Sequence, residues 1–353
     1  MPTEGRASDA ELLARFPRVF VTGGSGFIGS HVVQRLIEAG SEVVVLLLPG
    51  DRAPALDAVQ ALAGPRLSRV TGDLTQVDAL ARAMEGASLV IHLAAIYAIW
   101  LPRPRLMWEV NVEGTRHIVQ AARRAGVRRV VHTSSIAAVG LRPGHEVADE
   151  DDGFSDWGGD DYVVSKYVSE LEALAARHAD LDVVVVNPAF PFGPNDSAPT
   201  PTGKMVLDTL RGRMPFVTTG GFCAVDVRDV AEGHLLAALR GQSGRRYILG
   251  AHNVSFGEFS AAVAEAAGRK PPRLVVPPEA LIAAGRFAEA VATRLTRRPP
   301  MMTERSVRYL AGNWRYFSCE RARRELGYSP RPLADAIRAS VAWFREQRLA
   351  KVQ

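Results

Sequence analysis

Short apolar runs alternate with segments of helical period through the first half of the chain, and this alternation limits the possible folds more than any other feature. Six runs rich in valine, leucine and isoleucine predict strands at residues 19–22, 43–48, 67–71, 89–93, 129–133 and 183–187. The segments between them predict helices at residues 27–39, 55–62, 77–84, 106–125 and 161–178. Strands that are apolar throughout are buried on both faces, as in a parallel sheet covered by helices. We therefore predict an α/β fold with a doubly wound parallel sheet.

The composition of the sequence changes after Asn187. The stretch NPAFPFGPNDSAPTPTG, residues 187–203, is dense in proline and glycine, which indicates a loop and a domain boundary. Beyond it the pattern predicts helices at residues 230–239, 256–267, 279–295 and 333–347. It also predicts one strand, at residues 246–249. We predict three parts, with a leader at residues 1–16, a first domain at 17–187 to which 223–241 returns, and a smaller, discontinuous α/β domain at 188–222 and 242–353.

Composition and charge are those of a soluble globular protein. The chain has 353 residues, of which 47% are hydrophobic and 23% are charged. The net charge of +5 comes from scattered arginines, so we expect no nucleic-acid partner. The start has no apolar stretch like that of a signal peptide, and the longest apolar run, residues 89–101, is too short for a membrane span. Because Cys223 and Cys319 match no metal or redox spacing, we expect no metal site and a cytoplasmic location.

A glycine-rich turn, TGGSGFIG at residues 22–29, follows the first predicted strand and opens the first helix. A dinucleotide pyrophosphate needs bare backbone N–H groups at a helix N-terminus, and glycine permits both the tight turn and the close approach. Glycines present only for backbone reasons are the alternative. The order of strand, turn and helix favours the dinucleotide site. Its predicted binding residues are Gly23, Ser25, Gly26, Phe27, Ile28 and Gly29.

Tyr162 and Lys166 stand four residues apart, which places a phenol and an ammonium on one face of a helix. Hydride transfer to a ketone leaves an oxyanion that needs a proton, and tyrosine, with a reference pKa of about 10, exchanges protons reluctantly. A neighbouring ammonium stabilises the phenolate. Ser135, at the end of the fifth predicted strand, would bond the substrate oxygen, with Ser134 as the alternative. A Tyr-x-x-x-Lys pair alone is usually helix surface, but its order after the glycine turn and the serine favours catalysis.

These motifs resemble those of the extended short-chain dehydrogenase/reductases, which share the spacing Gly-x-x-Gly-x-x-Gly. Further agreement comes from the stretches GDL, HLAA and NVEGT at residues 72–74, 92–95 and 111–115. The resemblance implies a Rossmann fold, an NAD(P)-dependent hydride transfer, a catalytic role for Ser135, Tyr162 and Lys166, and a possible homodimer. The other cofactor-binding residues that it implies are Asp73, Leu74, Leu93, Ala94, Ala95, Thr133, Asn187 and Pro188, with Tyr162 and Lys166 again among them.

Nearly the whole chain resembles the dihydroflavonol-4-reductase-like group, and within it the proteins called hopanoid-associated sugar epimerases. The segments that carry this resemblance are residues 187–194, 199–204, 229–234, 246–250 and 325–328. The group contains oxidoreductases that act at a secondary alcohol or ketone. The resemblance therefore implies the reaction class, and it leaves the substrate open.

The choice between NAD and NADP depends on the end of the second strand. An acid there favours the ribose hydroxyls of NAD, while an arginine favours the extra phosphate of NADP. Residues 47–52, LLPGDR, put neither in the place where the family usually keeps it. Arg52 would either fold back onto a phosphate or lie solvated in the loop. We predict a slight preference for NADP, with NAD as the alternative.

Apolar residues border the expected substrate pocket, which the second domain should complete. The predicted pocket residues are Tyr97, Trp100, Ser135, Phe190 and Phe192. Phe222 stands where nucleotide-sugar epimerases of the resembling family hold an arginine on the diphosphate. We therefore predict a fairly hydrophobic small-molecule alcohol or ketone as substrate. The alternatives are an NAD-dependent nucleotide-sugar epimerase and, more remotely, a non-catalytic dinucleotide-sensing protein.

An acidic stretch at residues 146–161 precedes the catalytic helix. It contains Trp157 and the pair Gly158-Gly159. Such a stretch predicts either a mobile lid over the site or an ordinary solvated loop.

Overall fold

A parallel sheet forms the centre of the protein, for which a computed structural model describes residues 6–97, 101, 103–157, 160–291, 304, 307–308 and 311–347. Within these residues the sheet has seven strands: β1 (Arg18–Thr22), β2 (Glu42–Leu47), β3 (Leu67–Thr71), β4 (Leu89–His92), β5 (Arg129–Thr133), β6 (Asp182–Pro188) and β10 (Arg246–Leu249). Their order is β3-β2-β1-β4-β5-β6-β10, and every neighbouring pair is parallel. The order changes direction between β1 and β4, where doubly wound sheets bind ligands.

Helices cover both faces of this sheet. They are α1 (Asp9–Arg15), α2 (Phe27–Glu38), α3 (Asp57–Ala63), α4 (Val77–Ala83), α5 (Arg105–Trp108), α6 (Gly114–Arg124), α7 (Asp161–Ala175) and α9 (Val227–Arg240). Successive residues of a strand point to opposite faces. Accordingly, Val19 and Val21 of β1 belong to one apolar cluster with Leu36 of α2, whereas Phe20 belongs to a second cluster with Ile118 of α6. The predicted doubly wound α/β fold is confirmed, and the predicted elements of the first half begin and end within three residues of the observed ones.

A second set of elements packs beside the carboxyl ends of the central strands. One helix from the same part of the sequence, α12 (Glu320–Leu326), packs instead against α9 and β10. The second set contains the strands β7 (Phe190–Phe192), β9 (Gly221–Asp226), β11 (His252–Ser255) and β13 (Trp314–Arg315), the paired strands β8 (Phe216–Thr218) and β12 (Leu274–Val276), and the helices α8 (Pro201–Leu210), α10 (Phe256–Ala266), α11 (Pro278–Val291) and α13 (Leu333–Glu346). Its core contains Phe192, Phe222, Phe259 and Phe344, all at most 1% exposed. The predicted end of the helix at 279–295 lies outside the described residues.

The observed sheets require corrections to the predicted division of the chain. β10 extends the central sheet beside β6, although it lies in the segment predicted for the second domain. β9, predicted to return to the first domain, lies in the second sheet, while α9 packs against α2. Part of the predicted leader forms α1, whose Leu12 is fully buried. Apolar runs identify a buried strand without saying which sheet it joins. We therefore propose two domains: a first that contains the central sheet with β10, α1 and α9, and a second that contains β9 and its sheet.

None of the described helices is both long enough and apolar enough to cross a membrane.

We expect Phe259→Ala to lower the free energy of unfolding by about 3–5 kcal/mol, because a fully buried aromatic ring leaves a cavity when it is removed. Phe259 contacts the rings of Phe192 and Phe222, at centroid distances of 5.2 and 5.1 Å. Urea unfolding measures the change. Leu171→Ala, at a side chain that is 45% exposed, is the control and should cost much less. Equal losses of unfolding free energy in both variants would show that the cluster around Phe259 is not a hydrophobic core.

Candidate active site

A cavity of about 560 Å³ opens at the carboxyl ends of β1, β4, β5 and β6. It brings together most of the residues that the sequence predicts for the cofactor and catalysis, namely Gly23, Gly26, Phe27, Ile28, Gly29, Leu93, Ala95, Thr133, Ser135, Tyr162, Lys166 and Pro188. Tyr97 and Phe190 of the predicted substrate pocket line it as well. Segments far apart in sequence therefore meet at one edge of the sheet, where parallel strands end together.

Other predicted residues lie elsewhere. Those that do not line the cavity are Ser25, Arg52, Asp73, Leu74, Ala94, Asn187 and Phe192. Phe192, predicted for the substrate pocket, is fully buried in the second core against Phe259, so this prediction is wrong. Leu74 packs into the core beside Gly114, where a Cβ on that glycine would lie 2.7 Å from Leu74 Cδ1. Trp100 lies outside the described residues.

The glycine turn is shaped by two close approaches of backbone to backbone. Gly23 has φ +68°, and a Cβ there would lie 2.7 Å from the Ala94 nitrogen. A Cβ on Gly29 would lie 2.0 Å from the Gly23 carbonyl oxygen. Gly26 is the N-cap of α2 and offers no side-chain bond to the first helical N–H groups. The N-terminus of α2 is therefore open toward the cavity, and these residues fit a dinucleotide pyrophosphate.

Asp51 lies beside this turn, in the loop that follows β2. One carboxylate oxygen accepts a hydrogen bond of 2.7 Å from the Ser25 hydroxyl, and the other accepts one of 2.8 Å from the Ala53 N–H. Arg52 is exposed and forms no ion pair within the described residues. Asp73 accepts hydrogen bonds from the N–H and hydroxyl of Thr75, which lower the pKa of its carboxyl. Hydrogen bonds thus fix the position of the Asp51 carboxylate, whereas no ion pair within the described residues fixes the Arg52 guanidinium.

Lys166 forms the floor of the cavity. Its ammonium donates a hydrogen bond of 2.7 Å to the Thr133 carbonyl, and the residue is 3% exposed. Burial lowers the pKa of Lys166 to about 8, an effect that the charge of Glu170 partly opposes. Thr133 is fixed in turn, because its hydroxyl lies 2.9 Å from Nε2 of His234, whose Nδ1 lies 2.7 Å from the Val230 carbonyl. A carbonyl only accepts, so Nδ1 carries the proton and Nε2 accepts from Thr133.

Ser135 and Tyr162 face the cavity from β5 and α7. Ser135 caps the short 3-10 turn Ile136–Ala138, and its oxygen accepts a 3.1 Å bond from the Ala137 N–H. Its hydroxyl hydrogen is thereby left to point at a ligand. Ser134, the alternative, also lines the cavity, and its buried hydroxyl has no hydrogen-bond partner within the described residues. Tyr162 lies in the first turn of α7, and its ring contacts Tyr97 edge-on at a centroid distance of 4.8 Å.

Asn111 joins the loop after β4 to the catalytic helix. It lies in a π-helical turn, Glu109–Glu113, between α5 and α6. Its side chain accepts from the Ile96 N–H at 2.7 Å and donates to the Ile96 carbonyl and to the Ser165 hydroxyl. Ser165 lies directly before Lys166, so Asn111 fixes the part of α7 that carries the ammonium. Single π turns inside helices are frequent at functional sites.

Apolar side chains line the half of the cavity that lies beyond Tyr162. They are Phe190, Pro191, Pro201, Phe256, Leu281, Val307 and Ala311, of which the sequence predicted only Phe190. Among the described residues that line the cavity, the charged side chains are Lys166 and Asp160. Asp160, also missed, is the N-cap of α7, and burial raises the pKa of its carboxyl. Loop and second-domain residues gave no local pattern from which this placement could be predicted.

The acidic stretch is anchored over its first part. Arg246 of β10 donates to the carbonyls of Ala138, Glu150 and Asp152 at 2.9–3.3 Å. The Glu150 carboxylate accepts a 2.8 Å bond from the Ile248 N–H. Further along, Phe154 stacks on Tyr167 of α7 at 4.2 Å. These contacts hold residues 150–154 against the sheet and α7, so a lid movement of the whole predicted stretch would have to break them.

Comparison with known proteins places these features in a family. The model of the NAD dependent epimerase/dehydratase family matches residues 19–250. A putative dihydroflavonol 4-reductase of Synechocystis is 36% identical over 95% of this chain and 96% of its own length. Sterol demethylase protein B of Methylococcus capsulatus is 36% identical over 93% of this chain and 98% of its own. A 3 beta-hydroxysteroid dehydrogenase/Delta 5-->4-isomerase of Mycobacterium tuberculosis is 30% identical over 92% and 89%.

Solved structures agree with the same fold. The crystal structure of gox2253 superposes with a TM-score of 0.81 at 38% identity, covering 95% of this chain and all of that one. DesIV, a dTDP-glucose 4,6-dehydratase from Streptomyces venezuelae with NAD bound, superposes with a TM-score of 0.75 at 26% identity over 94% of this chain and 98% of that one. The similarity therefore covers both the central sheet and the second domain.

We expect Gly29→Ala to weaken NADH binding by roughly tenfold or more, because the added methyl would force the Gly23 carbonyl out of the turn. Fluorescence titration with NADH measures the affinity. Gly257→Ala is the matched control, since a Cβ there meets only Ser255 Oγ, at 3.8 Å. Unchanged NADH affinity in a folded Gly29→Ala protein would place the cofactor elsewhere.

Proposed function

Since this chain belongs to the NAD-dependent epimerase/dehydratase family, we propose that it transfers hydride at a secondary alcohol or ketone of a bulky, hydrophobic small molecule, such as a fused-ring alcohol. It is an NAD(P)-dependent oxidoreductase of the extended short-chain dehydrogenase/reductase type. The substrate class is the proposal. The relatives named for sterols and 3 beta-hydroxysteroids support it, because they match nearly the whole chain.

The apolar wall of the cavity carries the proposal. A nucleotide-sugar diphosphate needs cations, and among the described lining residues the only cation is Lys166, at the nicotinamide end. Phe222, where the resembling epimerases hold an arginine, is buried against Phe190 and Phe256 at centroid distances of 5.3 Å. Three arginines that could replace the missing one are paired with acids: Arg228 with Asp226, Arg308 with Glu304, and Arg315 with Asp156 at 3.9 Å. A hydrophobic ketone would bury this wall favourably.

The residues at the polar end of the cavity supply acid–base chemistry. The nicotinamide cofactor supplies or accepts the hydride when bound. In reduction, Ser135 donates a hydrogen bond to the ketone oxygen, and Tyr162 gives its phenolic proton to that oxygen as negative charge develops there. The ammonium of Lys166 stabilises the resulting phenolate, and it would also hold the nicotinamide ribose hydroxyls when the cofactor is bound. Oxidation of the alcohol uses the same groups in reverse.

A nucleotide-sugar epimerase is the second candidate. The same three residues serve an enzyme that oxidises and re-reduces one sugar, and the family model that matches residues 19–250 is named for epimerases. Tightly retained NAD without net turnover of added NAD(P)H would favour it. A non-catalytic sensor is disfavoured, because Ser135, Tyr162 and Lys166 all line the cavity. The homodimer and the cytoplasmic location stay predictions, and sedimentation measures the first.

We expect NADH-dependent reduction of 3-oxosteroids and other bulky ketones, and no reaction with UDP-sugars. Tyr162→Phe should lower kcat by about 10²–10⁴-fold, because the proton donor is lost. Its NADH affinity should change little, since the turn and Lys166 are intact. Tyr167→Phe is the matched control, five residues along α7 and stacked on Phe154. Turnover of UDP-sugars by the native protein with none of any ketone would overturn the proposed substrate class.

We also propose NAD as the preferred cofactor, against the slight preference for NADP that rested on Arg52. The Asp51 carboxylate is fixed by Ser25 and Ala53, and it would accept hydrogen bonds from ribose hydroxyls and repel a 2′-phosphate. Asp51→Asn should therefore raise the NADPH-to-NADH ratio of kcat/KM by roughly tenfold. Arg52→Gln is the neighbouring control and should change the ratio much less. A native protein that already prefers NADPH, and loses that preference in Arg52→Gln, would restore the sequence-based prediction.

A further inference from the structure

A buried carboxylate lies beneath the active site. Glu170 follows Lys166 by four residues on α7 and is only 2% exposed. One of its oxygens accepts a 2.8 Å hydrogen bond from the Asn187 amide, and the other accepts one of 3.1 Å from Arg246. A buried carboxylate is tolerated when it is paired and hydrogen-bonded in this way. Because both partners donate, the arrangement is that of an ionised acid.

Glu170 is joined to both sides of the catalytic centre. The Asn187 amide that binds Glu170 also donates a 2.9 Å hydrogen bond to the Ser135 carbonyl, so one side chain spans the acid and the serine main chain. On the other side, one helical turn separates Glu170 from Lys166, which places the two side chains on the same face of α7. The negative charge of Glu170 raises the pKa of Lys166 against the effect of burial.

The other titratable groups around Lys166 do not supply a negative charge. Tyr162 precedes it on α7, and His92 of β4 and His132 of β5 face it from the sheet. Both histidines are fully buried, and desolvation lowers their pKa, to about 3 for His92 and well below the ordinary range for His132. They are therefore neutral at physiological pH. Arg246 lies on the far side of Glu170 and competes with Lys166 for its charge.

We propose that Glu170 is a positioning residue for the reaction proposed above: it keeps Lys166 as an ammonium and, through Asn187, fixes the Ser135 main chain. Neither effect requires Glu170 to touch substrate or cofactor. Without its charge, the buried lysine would lose its proton at a lower pH. The protein would then lack the cation that stabilises the Tyr162 phenolate. The alkaline limb of the kcat profile would accordingly move to lower pH.

The sequence makes a direct measurement practical, because the chain contains only four lysines: Lys166, Lys204, Lys270 and Lys351. We would label the lysines with ¹³C and follow their side-chain NMR signals with pH, assigning Lys166 with Lys166→Met. Glu170→Gln should lower the Lys166 midpoint by about one pH unit or more. Glu172→Gln, on the same helix and paired with Arg116 at the surface, should leave it unchanged. The other three lysines should not respond to either change.

A single substitution leaves the partly buried Arg246 without this counter-ion, which can destabilise the fold. The double variant Glu170→Gln with Arg246→Gln removes both charges, and a fall of the Lys166 midpoint in the same direction, smaller than in Glu170→Gln, is expected because a nearby cation is lost as well. A midpoint that stays in place in a folded variant would overturn the role of Glu170. A normal NMR response in a protein that reduces no ketone would overturn the proposed function and leave the role of Glu170 intact.

Discussion

An almost completely buried ammonium group makes the strongest physical demand on this structure. A charge removed from water destabilises a protein unless carbonyls or opposite charges replace the lost hydration. Lys166 meets this demand through the Thr133 carbonyl and the charge of Glu170. For Lys166 of α7 to reach the Thr133 carbonyl, the end of β5 must lie beside α7, as it does in this parallel sheet. Each of the two elements is held by a further hydrogen bond, β5 through Thr133 to His234 of α9 and α7 through Ser165 to Asn111.

The parts of the site that sequence could predict are those encoded locally. A turn between a strand and a helix needs glycine wherever backbones approach closely, so Gly23 and Gly29 are visible in the sequence. Tyr162 and Lys166 are visible because one helical turn relates them. Ser135 was found through its place at the end of a strand. In each case a few adjacent residues determine the geometry.

The missed parts depend on contacts between distant segments. Glu170 is close to Lys166 in sequence, but its partner Arg246 lies 76 residues away on the last strand of the sheet. The placement of β9 and β10 in different sheets could not be predicted either, since both are short buried runs. Phe190 and Phe192 are neighbours on β7, yet only Phe190 reaches the cavity, because the strand runs from the cavity into the second core. No local pattern distinguishes those two phenylalanines.

The anchoring of the acidic stretch also affects the border of the central sheet. β10 is one of the two edge strands of this sheet. Edge strands offer unpaired backbone groups that promote aggregation through intermolecular pairing. Here the Glu150 carboxylate accepts a hydrogen bond from the Ile248 N–H, and Arg246 binds the covering segment through the carbonyls of Glu150 and Asp152. A stretch rich in negative charge thus lies along the side of the sheet where another chain would add a strand. The segment that leads into the catalytic helix therefore also covers this edge of the sheet against strand addition by another chain.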